Sequence, residues 1–303
     1  MPLRLIPILL ALAWGLNWPA VKIALGEWPP FTLRAVGLGV GALLLLALSL
    51  LQRQPLLPPR AAWPGVIAGG LLAVALFNFC TAFAQLSTST SRAAVLTFTM
   101  PMMSALLAWW WLGERLTRAR AVALAIGMAG VALLAWPVVR ALAAAWSGGA
   151  PAPPLRGLLL PLLAAFGWAA GTVLLKRWPV QGARITITAW QLLIGAGCGV
   201  LAALVVGEAP PRWPPSPRVA AAMAFHIVFA TAMAYWLWFI LAERVSATVS
   251  SLTTLAVPVV GVAGAMLLVG ERPAGLDWIG FALVLGGAAL TLLQIGPLER
   301  RPR

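Results

Sequence analysis

The sequence is poor in charged residues. Only 9% of its 303 residues are charged, whereas 62% are hydrophobic, and the mean hydropathy is +0.95. A soluble globular domain carries roughly 25% charged residues. Nearly every window of about 20 residues is apolar enough to cross a hydrocarbon core of roughly 30 Å. The composition therefore excludes a large soluble domain and predicts an all-α polytopic membrane protein.

Side chains that could hold metals or perform acid–base chemistry are also scarce. The chain has one histidine, two cysteines and seven acidic residues. Cys80 and Cys198 fall in separate apolar runs, and isolated cysteines provide neither a disulfide framework nor a metal site. An intramembrane enzyme acting on lipids would need a cluster of acid, base or metal ligands. We therefore expect no metal, no cofactor and no enzymatic activity.

The net charge of +14 has a simple explanation in a membrane protein. Basic residues collect in the short cytoplasmic loops of such proteins. The chain lacks a basic run with interleaved aromatic residues, which proteins that bind single-stranded nucleic acid use. We expect the lipid bilayer as a partner and no nucleic acid.

Ten apolar runs predict ten transmembrane helices. The runs cover residues 3–25, 30–51, 63–86, 89–112, 117–136, 155–175, 185–206, 219–241, 247–268 and 275–293. A Pro- and Gly-bearing segment separates the fifth run from the sixth and predicts a linker. The domain prediction is a five-helix repeat at 1–137, a linker at 138–154, a second five-helix repeat at 155–295 and a basic tail at 296–303.

A stretch that occurs twice supports this division. Residues 101–115 read PMMSALLAWWWLGER and residues 258–272 read PVVGVAGAMLLVGER, so the proline and the Gly-Glu-Arg recur at an offset of 157. Five spans are an odd number, so the second repeat must enter the membrane from the opposite side. Inverted repeats of this kind are the usual architecture of secondary transporters, in which one half rocks against the other to alternate access.

The distribution of lysine and arginine predicts the orientation. With the N-terminus inside, the cytoplasmic segments hold 13 basic residues and the outer segments hold 7. Arg34, near the start of the second run, is left out of this count. The excess places both termini in the cytoplasm.

Three sequence features together resemble a known family. They are the Trp14-Gly15-x-Asn17 start, the two Pro…Gly-Glu-Arg stretches and the glycine-rich fifth and tenth runs. The chain resembles the drug/metabolite transporter superfamily in its ten-helix EamA-type branch, over essentially its whole length. The resemblance implies export of amino acids, other metabolites or drugs. In aromatic composition the chain is most similar to bacterial aromatic amino acid exporters.

Two tryptophans are predicted to lie near the membrane midplane. Trp14 is roughly 16 Å deep in its span, and Trp168 is roughly 20 Å deep from the other side. Either they are bulky packing residues, or they flank a central substrate cavity. Asn17 shares a helix face with Trp14, and Thr172 shares one with Trp168.

Further polar residues at depth are candidates for the same cavity. Thr97 precedes Pro101 by four residues, and Thr254 precedes Pro258 by four. Their hydroxyls either satisfy carbonyls that the prolines release or contact the substrate, together with the locally opened helix. Asn78 and Tyr235 occupy matching positions in the third and eighth runs, and we expect at least one to reach the cavity.

The only histidine, His226, has two possible roles. It could be a proton site or an interhelical hydrogen bonder. It precedes Tyr235 by nine residues, which is about 900° of an α-helix at about 100° per residue. The two side chains are therefore predicted to point to opposite faces, with Tyr235 facing the cavity.

The position of the acidic residues bears on the mechanism. All seven lie at predicted span ends or in loops, so none offers the buried carboxylate that ion-driven exchangers commonly use. We expect a monomer in the bacterial cytoplasmic membrane that moves neutral, aromatic or bulky apolar amino acids down their gradient by alternating access. The alternatives are a multidrug or other metabolite exporter, with or without proton coupling, and a structural subunit that transports nothing.

Overall fold

The computed structural model describes residues 5–113, 117–146, 154–178, 180–244 and 247–293. Within them it describes all side chains except those of residues 120, 176–177, 239, 241–244, 247–255 and 291–292. The predicted linker core at 147–153, the tail at 296–303, Glu114 and Arg115 lie outside the described residues. Every regular element in the described part is a helix.

Ten helices occupy the ten predicted runs. They are α1 (Ile6–Ala24), α2 (Pro30–Leu51), α3 (Arg60–Ser87), α4 (Thr90–Leu112), α5 (Arg118–Trp146), α6 (Arg156–Arg177), α7 (Arg184–Val206), α8 (217–244), α9 (247–269) and α10 (Gly275–Leu293). Eight are long and apolar enough to cross a membrane, and α9 and α10 contain shorter apolar stretches. The predicted all-helical membrane fold is confirmed.

One helix extends well past its predicted end. The sequence places the end of the fifth span at Trp136, before Pro137, whereas α5 continues to Trp146. Pro137 lies inside this helix. The alanine-rich residues 141–145 have a high helix propensity, which favours continuation beyond the apolar run. Residues 138–146, assigned to the linker from sequence, are therefore helical.

The helices of the two repeats exchange partners in the bundle. α1 packs against α8 and α9, and its counterpart in the second repeat, α6, packs against α3 and α4. α2 packs against its own counterpart α7, and α5 packs against α10. This pattern is that of a twofold pseudo-symmetry, because each helix and the helix five places later have equivalent neighbours. With five spans in each repeat, the duplicated domains run in opposite directions across the membrane.

The two Gly-Glu-Arg motifs begin where α4 and α9 end. Gly113 and Gly270 have φ values of 69° and 75°, the left-handed conformation that commonly terminates helices at glycine. No described atom lies within 4 Å of a Cβ built on either residue. Each glycine is therefore required by its backbone conformation and not by lack of space.

Glycines also permit the close contact between α5 and α10. A Cβ on Gly130 would lie 2.7 Å from the backbone nitrogen of Val284, and one on Gly287 would lie 2.6 Å from that of Gly127. These distances leave no room for a methyl group. A Cβ on Gly286 would have no described neighbour within 4 Å, so this glycine, although next in sequence, is not part of the contact.

Two helices contain π-helical segments at corresponding positions. In α3 the segment is Gly70–Leu76, and in α8 it is Phe225–Met233, which begins 155 residues later. A third, Ala265–Val269, ends α9. π-helical turns are rare and occur frequently at functional sites. The matched pair in α3 and α8 lies next to the polar residues described below.

Four interhelical connections meet at one end of the bundle. The Glu27 carboxylate accepts a hydrogen bond from the Ser216 backbone (2.8 Å) and pairs with Arg212. Lys22 donates to the carbonyl of Gln85, and Arg218 donates to that of Leu268. We call this the carboxylate end, because it carries all four acidic side chains that the structure describes, those of Glu27, Glu208, Glu271 and Asp277.

Candidate substrate site

An aromatic cluster forms where α1 meets α8. The ring of Trp14 lies 6.0 Å from that of Tyr235, in an edge-to-face arrangement, and 5.6 Å from that of Trp238. Such pairs contribute roughly 0.5–1.5 kcal/mol beyond their buried area. We call Trp14, Tyr235 and Trp238 the aromatic wall. Two of its members, Trp14 and Tyr235, are site residues predicted from sequence.

One turn along α1 from Trp14, a polar contact joins the same two helices. The Oδ1 atom of Asn17 lies 2.7 Å from Nδ1 of His226. The imidazole is buried, and its Nε2 atom has no hydrogen-bond partner among the described residues. A Cβ on Gly37 of α2 would lie 2.4 Å from that Nε2 atom. His226 is therefore enclosed by α1, α2 and α8.

The prediction that His226 and Tyr235 point to opposite faces is wrong. His226 contacts Asn17 and Tyr235 contacts Trp14, and these two partners lie three residues apart on one face of α1. The intervening residues are mostly in the π-helical segment Phe225–Met233. Because π-helical hydrogen bonds span five residues, the chain turns through a smaller angle per residue than the α-helical calculation assumes.

A buried arginine completes the site. Arg34 of α2 is only 3% exposed, and its Nη2 atom donates to the hydroxyl of Thr81 on α3 at 3.0 Å. Its Nε atom has no partner among the described residues. Arg34 is one turn before Gly37, the residue of α2 against which His226 packs. We call Asn17, Arg34, Thr81 and His226 the polar cluster.

Sequence reasoning missed Arg34 although a signal was available. Arg34 is the fifth residue of α2, and a charge inside a predicted span is itself a functional hint. From sequence, Arg34 was only left out of the count of basic residues and was not named as a site residue. In the structure its side chain is buried and donates to Thr81, which forms a polar contact between α2 and α3.

Asn78 lies on α3 three residues before Thr81. It is buried, and its amide nitrogen donates to the carbonyl of Val74 within the π-helical segment. The Thr81 hydroxyl donates in turn to the carbonyl of Asn78 at 3.0 Å. Asn78 therefore satisfies the backbone of its own helix and supports the residue that holds Arg34.

The second repeat places its tryptophan in the equivalent contact. Trp168 of α6 packs against Phe77 of α3, with ring centroids 5.2 Å apart. In each repeat, then, the tryptophan of the first helix packs on the third helix of the other repeat. Thr172 is exposed, and its hydroxyl donates to the carbonyl of Trp168 at 2.8 Å.

The threonines that precede Pro101 and Pro258 give less information about the substrate site than the residues described above. α4 is interrupted at Phe98 and Thr99, just before Pro101. The buried Thr97 hydroxyl donates to the carbonyl of Ala93 at 2.7 Å, so it is occupied by its own helix. Pro258 is buried within α9, and the side chain of Thr254 lies outside the described residues.

At the carboxylate end, acidic side chains cap helices of the opposite repeat. Glu208 accepts hydrogen bonds from the backbones of Phe31 and Thr32 at the start of α2. Glu271 accepts from the backbones of Thr90 and Ser91 at the start of α4. These contacts stabilise negative charge, because the first N–H groups of a helix are unpaired.

The hydrogen bonds at this end lower the pKa of two carboxyls. Burial raises the pKa of Glu271, but the hydrogen bonds from Ser91 and Thr90 together outweigh it, and the net shift is downward. Hydrogen bonds from Ser216, with a smaller contribution from Arg212, lower the pKa of Glu27. Both groups are therefore ionised at neutral pH.

Comparison with known proteins identifies the family. The chain matches the EamA-like transporter family over residues 4–136 and again over residues 155–293. The two matches correspond to helices α1–α5 and α6–α10. This chain belongs to the EamA-like transporter family. It is a multi-pass membrane transporter and not an enzyme.

Relatives of this EamA-family transporter span several bacteria. It is 31% identical over 187 residues to YvbV of Bacillus subtilis, described as an uncharacterized transporter, and the match covers 62% of this chain and 58% of that protein. It is 24% identical to a "probable amino-acid metabolite efflux pump" of Escherichia coli, over 95% and 94% of the two chains. A solved crystal structure matches with a TM-score of 0.60 and 25% identity over 95% of each chain.

Proposed function

We propose that this transporter exports, or facilitates movement of, neutral amino acids with aromatic or bulky apolar side chains. The observation that carries the proposal is the two-part site formed by α1 and α8 together with Arg34 of α2 and Thr81 of α3. The aromatic wall suits an apolar side chain, and the adjacent polar cluster suits the ammonium and carboxylate groups of a zwitterion. The likeness to the probable amino-acid metabolite efflux pump of Escherichia coli supports an amino acid or a related metabolite as the substrate.

We assign the remaining candidates to the same substrate path. Trp168 of α6 is the counterpart of Trp14, and Thr172 lies one turn further along α6, where its hydroxyl donates to the carbonyl of Trp168. Asn78 supports the polar cluster from α3. Thr97 and Pro101 of α4, with Thr254 and Pro258 of α9, are proposed to line the path where these helices are interrupted or contain proline.

The proposed mechanism is alternating access driven by the substrate gradient. All the acidic side chains that the structure describes lie at the carboxylate end, so among them there is no interior carboxylate to carry a coupled proton. His226 is the second-choice proton site. Equal uptake into proteoliposomes with and without a pH gradient would support facilitated movement, and strict dependence on the gradient would refute it.

We also propose a location and an orientation. The protein is a monomer of the bacterial cytoplasmic membrane with both termini in the cytoplasm. The connections that follow the even-numbered helices carry more basic residues than those that follow the odd-numbered helices, which supports this orientation. The carboxylate end then faces outward.

A counterflow assay with purified protein tests the substrate class. Proteoliposomes loaded with unlabelled tryptophan, leucine, threonine or a lipophilic phosphonium cation are compared for exchange of labelled tryptophan. We expect tryptophan and leucine to exchange and the cation not to. Trp14→Ala should reduce exchange by about tenfold, because loss of an aromatic contact and its buried area costs about 1.5 kcal/mol or more.

Trp146→Ala is the matched control. Trp146 is 92% exposed at the end of α5, so its removal should leave exchange unchanged. Exchange of the cation in preference to the amino acids would assign the protein to multidrug export. No exchange of any of the four compounds by well-folded protein would contradict the proposal.

A further inference from the structure

We propose that Arg34 is the binding residue for a carboxylate on the transported substrate. The inference rests on the proposed transport function and names the group that selects the ligand. It predicts that this transporter distinguishes carboxylates from the corresponding amides and amines, a selectivity that an aromatic wall by itself would not produce.

Arg34 carries a buried positive charge. An arginine guanidinium keeps its charge in proteins, and a buried charge is strongly unfavourable unless it is paired. The two ion pairs identified among the described side chains, Arg92–Asp277 and Glu27–Arg212, do not include Arg34. None of the four described acidic side chains forms an ion pair with Arg34, so its charge has no anionic partner within the described part of the protein.

The guanidinium of Arg34 also has an unsatisfied hydrogen-bond donor among the described residues. Arg34 is 3% exposed, donates one hydrogen bond to Thr81, and has a buried Nε–H without a partner among the described residues. Buried polar groups are almost always satisfied, so such an atom needs an explanation. A guanidinium binds carboxylates with two parallel N–H donors, one of which is commonly Nε–H. The free donor is therefore of the type that a carboxylate needs.

Arg34 lies on the side of α2 that faces His226. His226 packs against Gly37, which is three residues after Arg34 and therefore on the same helix face. The contacts of His226 with Asn17 and of Tyr235 with Trp14 connect this face to the aromatic wall. A ligand with its carboxylate on Arg34 can place an apolar group against that wall. The π-helical segments of α3 and α8 lie beside this region, as such segments often do at functional sites.

The experiment compares probes that differ at one functional group. Binding of tryptophan, tryptophanamide and indole-3-propionate to purified protein in detergent is measured by calorimetry for the wild type, Arg34→Gln and Arg34→Lys. Tryptophanamide lacks the carboxylate, and indole-3-propionate keeps it but lacks the amine. We expect the wild type to bind the two carboxylates more tightly than the amide by about tenfold or more.

The expected variant result is a change in selectivity. Arg34→Gln should lose this preference by weakening the two carboxylates by about tenfold while leaving the amide unchanged, and Arg34→Lys should restore part of it. A purely structural role between α2 and α3 would weaken all three probes equally or lower the melting temperature alone. That outcome would overturn the proposal. If Arg34→Gln does not fold, Thr81→Val, which removes only the hydroxyl that holds Arg34, should reduce the same preference.

The two proposals can fail separately. If the wild type binds amino acids but the carboxylate preference is insensitive to Arg34, the inference fails and the transport proposal stands. If the wild type binds indole-3-propionate through Arg34 but no amino acid, the inference stands and the substrate is a monocarboxylate. If folded wild type binds none of the carboxylates, the assignment of Arg34 is overturned.

Discussion

The imidazole of His226 occupies space that only a residue without a side chain leaves open on α2. The distance of 2.4 Å between a Cβ built on Gly37 and Nε2 of His226 is far below any ordinary contact. Gly39 lies on the same helix, and a Cβ there would be 3.6 Å from the Cβ of Ala196. A methyl group therefore does not fit at Gly37 but does fit at Gly39, in the same turn of the helix.

Alanine substitutions at Gly37 and Gly39 should have different effects on the free energy of unfolding. Gly37→Ala should lower the free energy of unfolding by about 1–3 kcal/mol, because the methyl group displaces the imidazole. Gly39→Ala should be neutral or slightly stabilising, because alanine is the better helix former. Thermal unfolding in detergent measures both effects. His226 is the only histidine, so its ring resonance reports directly on the displacement and should move in Gly37→Ala alone.

The sequence predicted some of the site residues but not the contacts between helices that bring them together. Counting residues along each span identified Trp14 and Asn17 as deep and on one face. Which helices those faces meet depends on the packing of ten helices, so the contact of Asn17 with His226 was not predictable from one helix. Arg34 was missed because depth along a helix does not give the direction of a long side chain.

At the scale of helices, the carboxylates at the carboxylate end join one repeat to the other. Glu271 follows the glycine that terminates α9, and it caps α4. In the sequence each Gly-Glu-Arg motif lies between two apolar runs, and the left-handed conformation of its glycine ends the first of the two helices. The cap on a distant helix was not predictable, because it requires the two repeats to be packed together.

The cap of Glu271 should make stability depend on pH. Its pKa is lowered in the folded protein, so its contribution is complete above the ordinary carboxyl range and disappears as the pH falls through the folded pKa. Glu271→Gln should therefore cost about 1 kcal/mol at pH 7 and progressively less below roughly pH 4. Melting temperatures of both proteins across this range test the prediction.

The neighbouring Arg272 provides the control for this series. Its side chain is exposed, so Arg272→Gln should not reproduce the pH-dependent loss. A difference between wild type and Glu271→Gln that stays constant from pH 7 to pH 3 would mean that the carboxylate charge does not stabilise α4.

The boundaries of the helices were more predictable from sequence than their hydrogen-bond pattern, α-helical or π-helical. Apolar runs and the prolines and glycines beside them placed α2 and α10 without error, because hydropathy and caps are local signals. The π-helical segments in α3 and α8 were not predicted, because their hydrogen-bond pattern has no distinct composition. The π-helical segment of α8 brings His226 and Tyr235 to one side of the helix, whereas the calculation for an α-helix predicted opposite faces.

At the scale of the whole molecule, the duplication was predictable from the repeated motif. The constant offset of 157 and the odd number of spans predicted two repeats of opposite orientation, and the exchanged helix contacts agree. The direction of the bundle in the membrane follows only from charge, because no contact within the protein distinguishes one side of a bilayer from the other.

Thiol labelling on intact cells tests this orientation. In a background without Cys80 and Cys198, Trp213→Cys lies at the carboxylate end and Gln54→Cys lies in the connection at the opposite end, and both positions are exposed. A membrane-impermeant maleimide should label the first in intact cells and the second only after permeabilisation. The reverse pattern would invert the proposed topology.

The exchange of helix partners changes what can move during transport. α1 packs mainly against α8 and α9, and α6 packs mainly against α3 and α4. Each compact group therefore takes one helix from one repeat and two from the other, so the repeats are intertwined and neither is a rigid body on its own. Rocking of the first half of the sequence against the second would break the contacts within both groups. If access alternates by rigid rocking, the bodies that move are mosaics, each assembled from both copies of the duplicated unit.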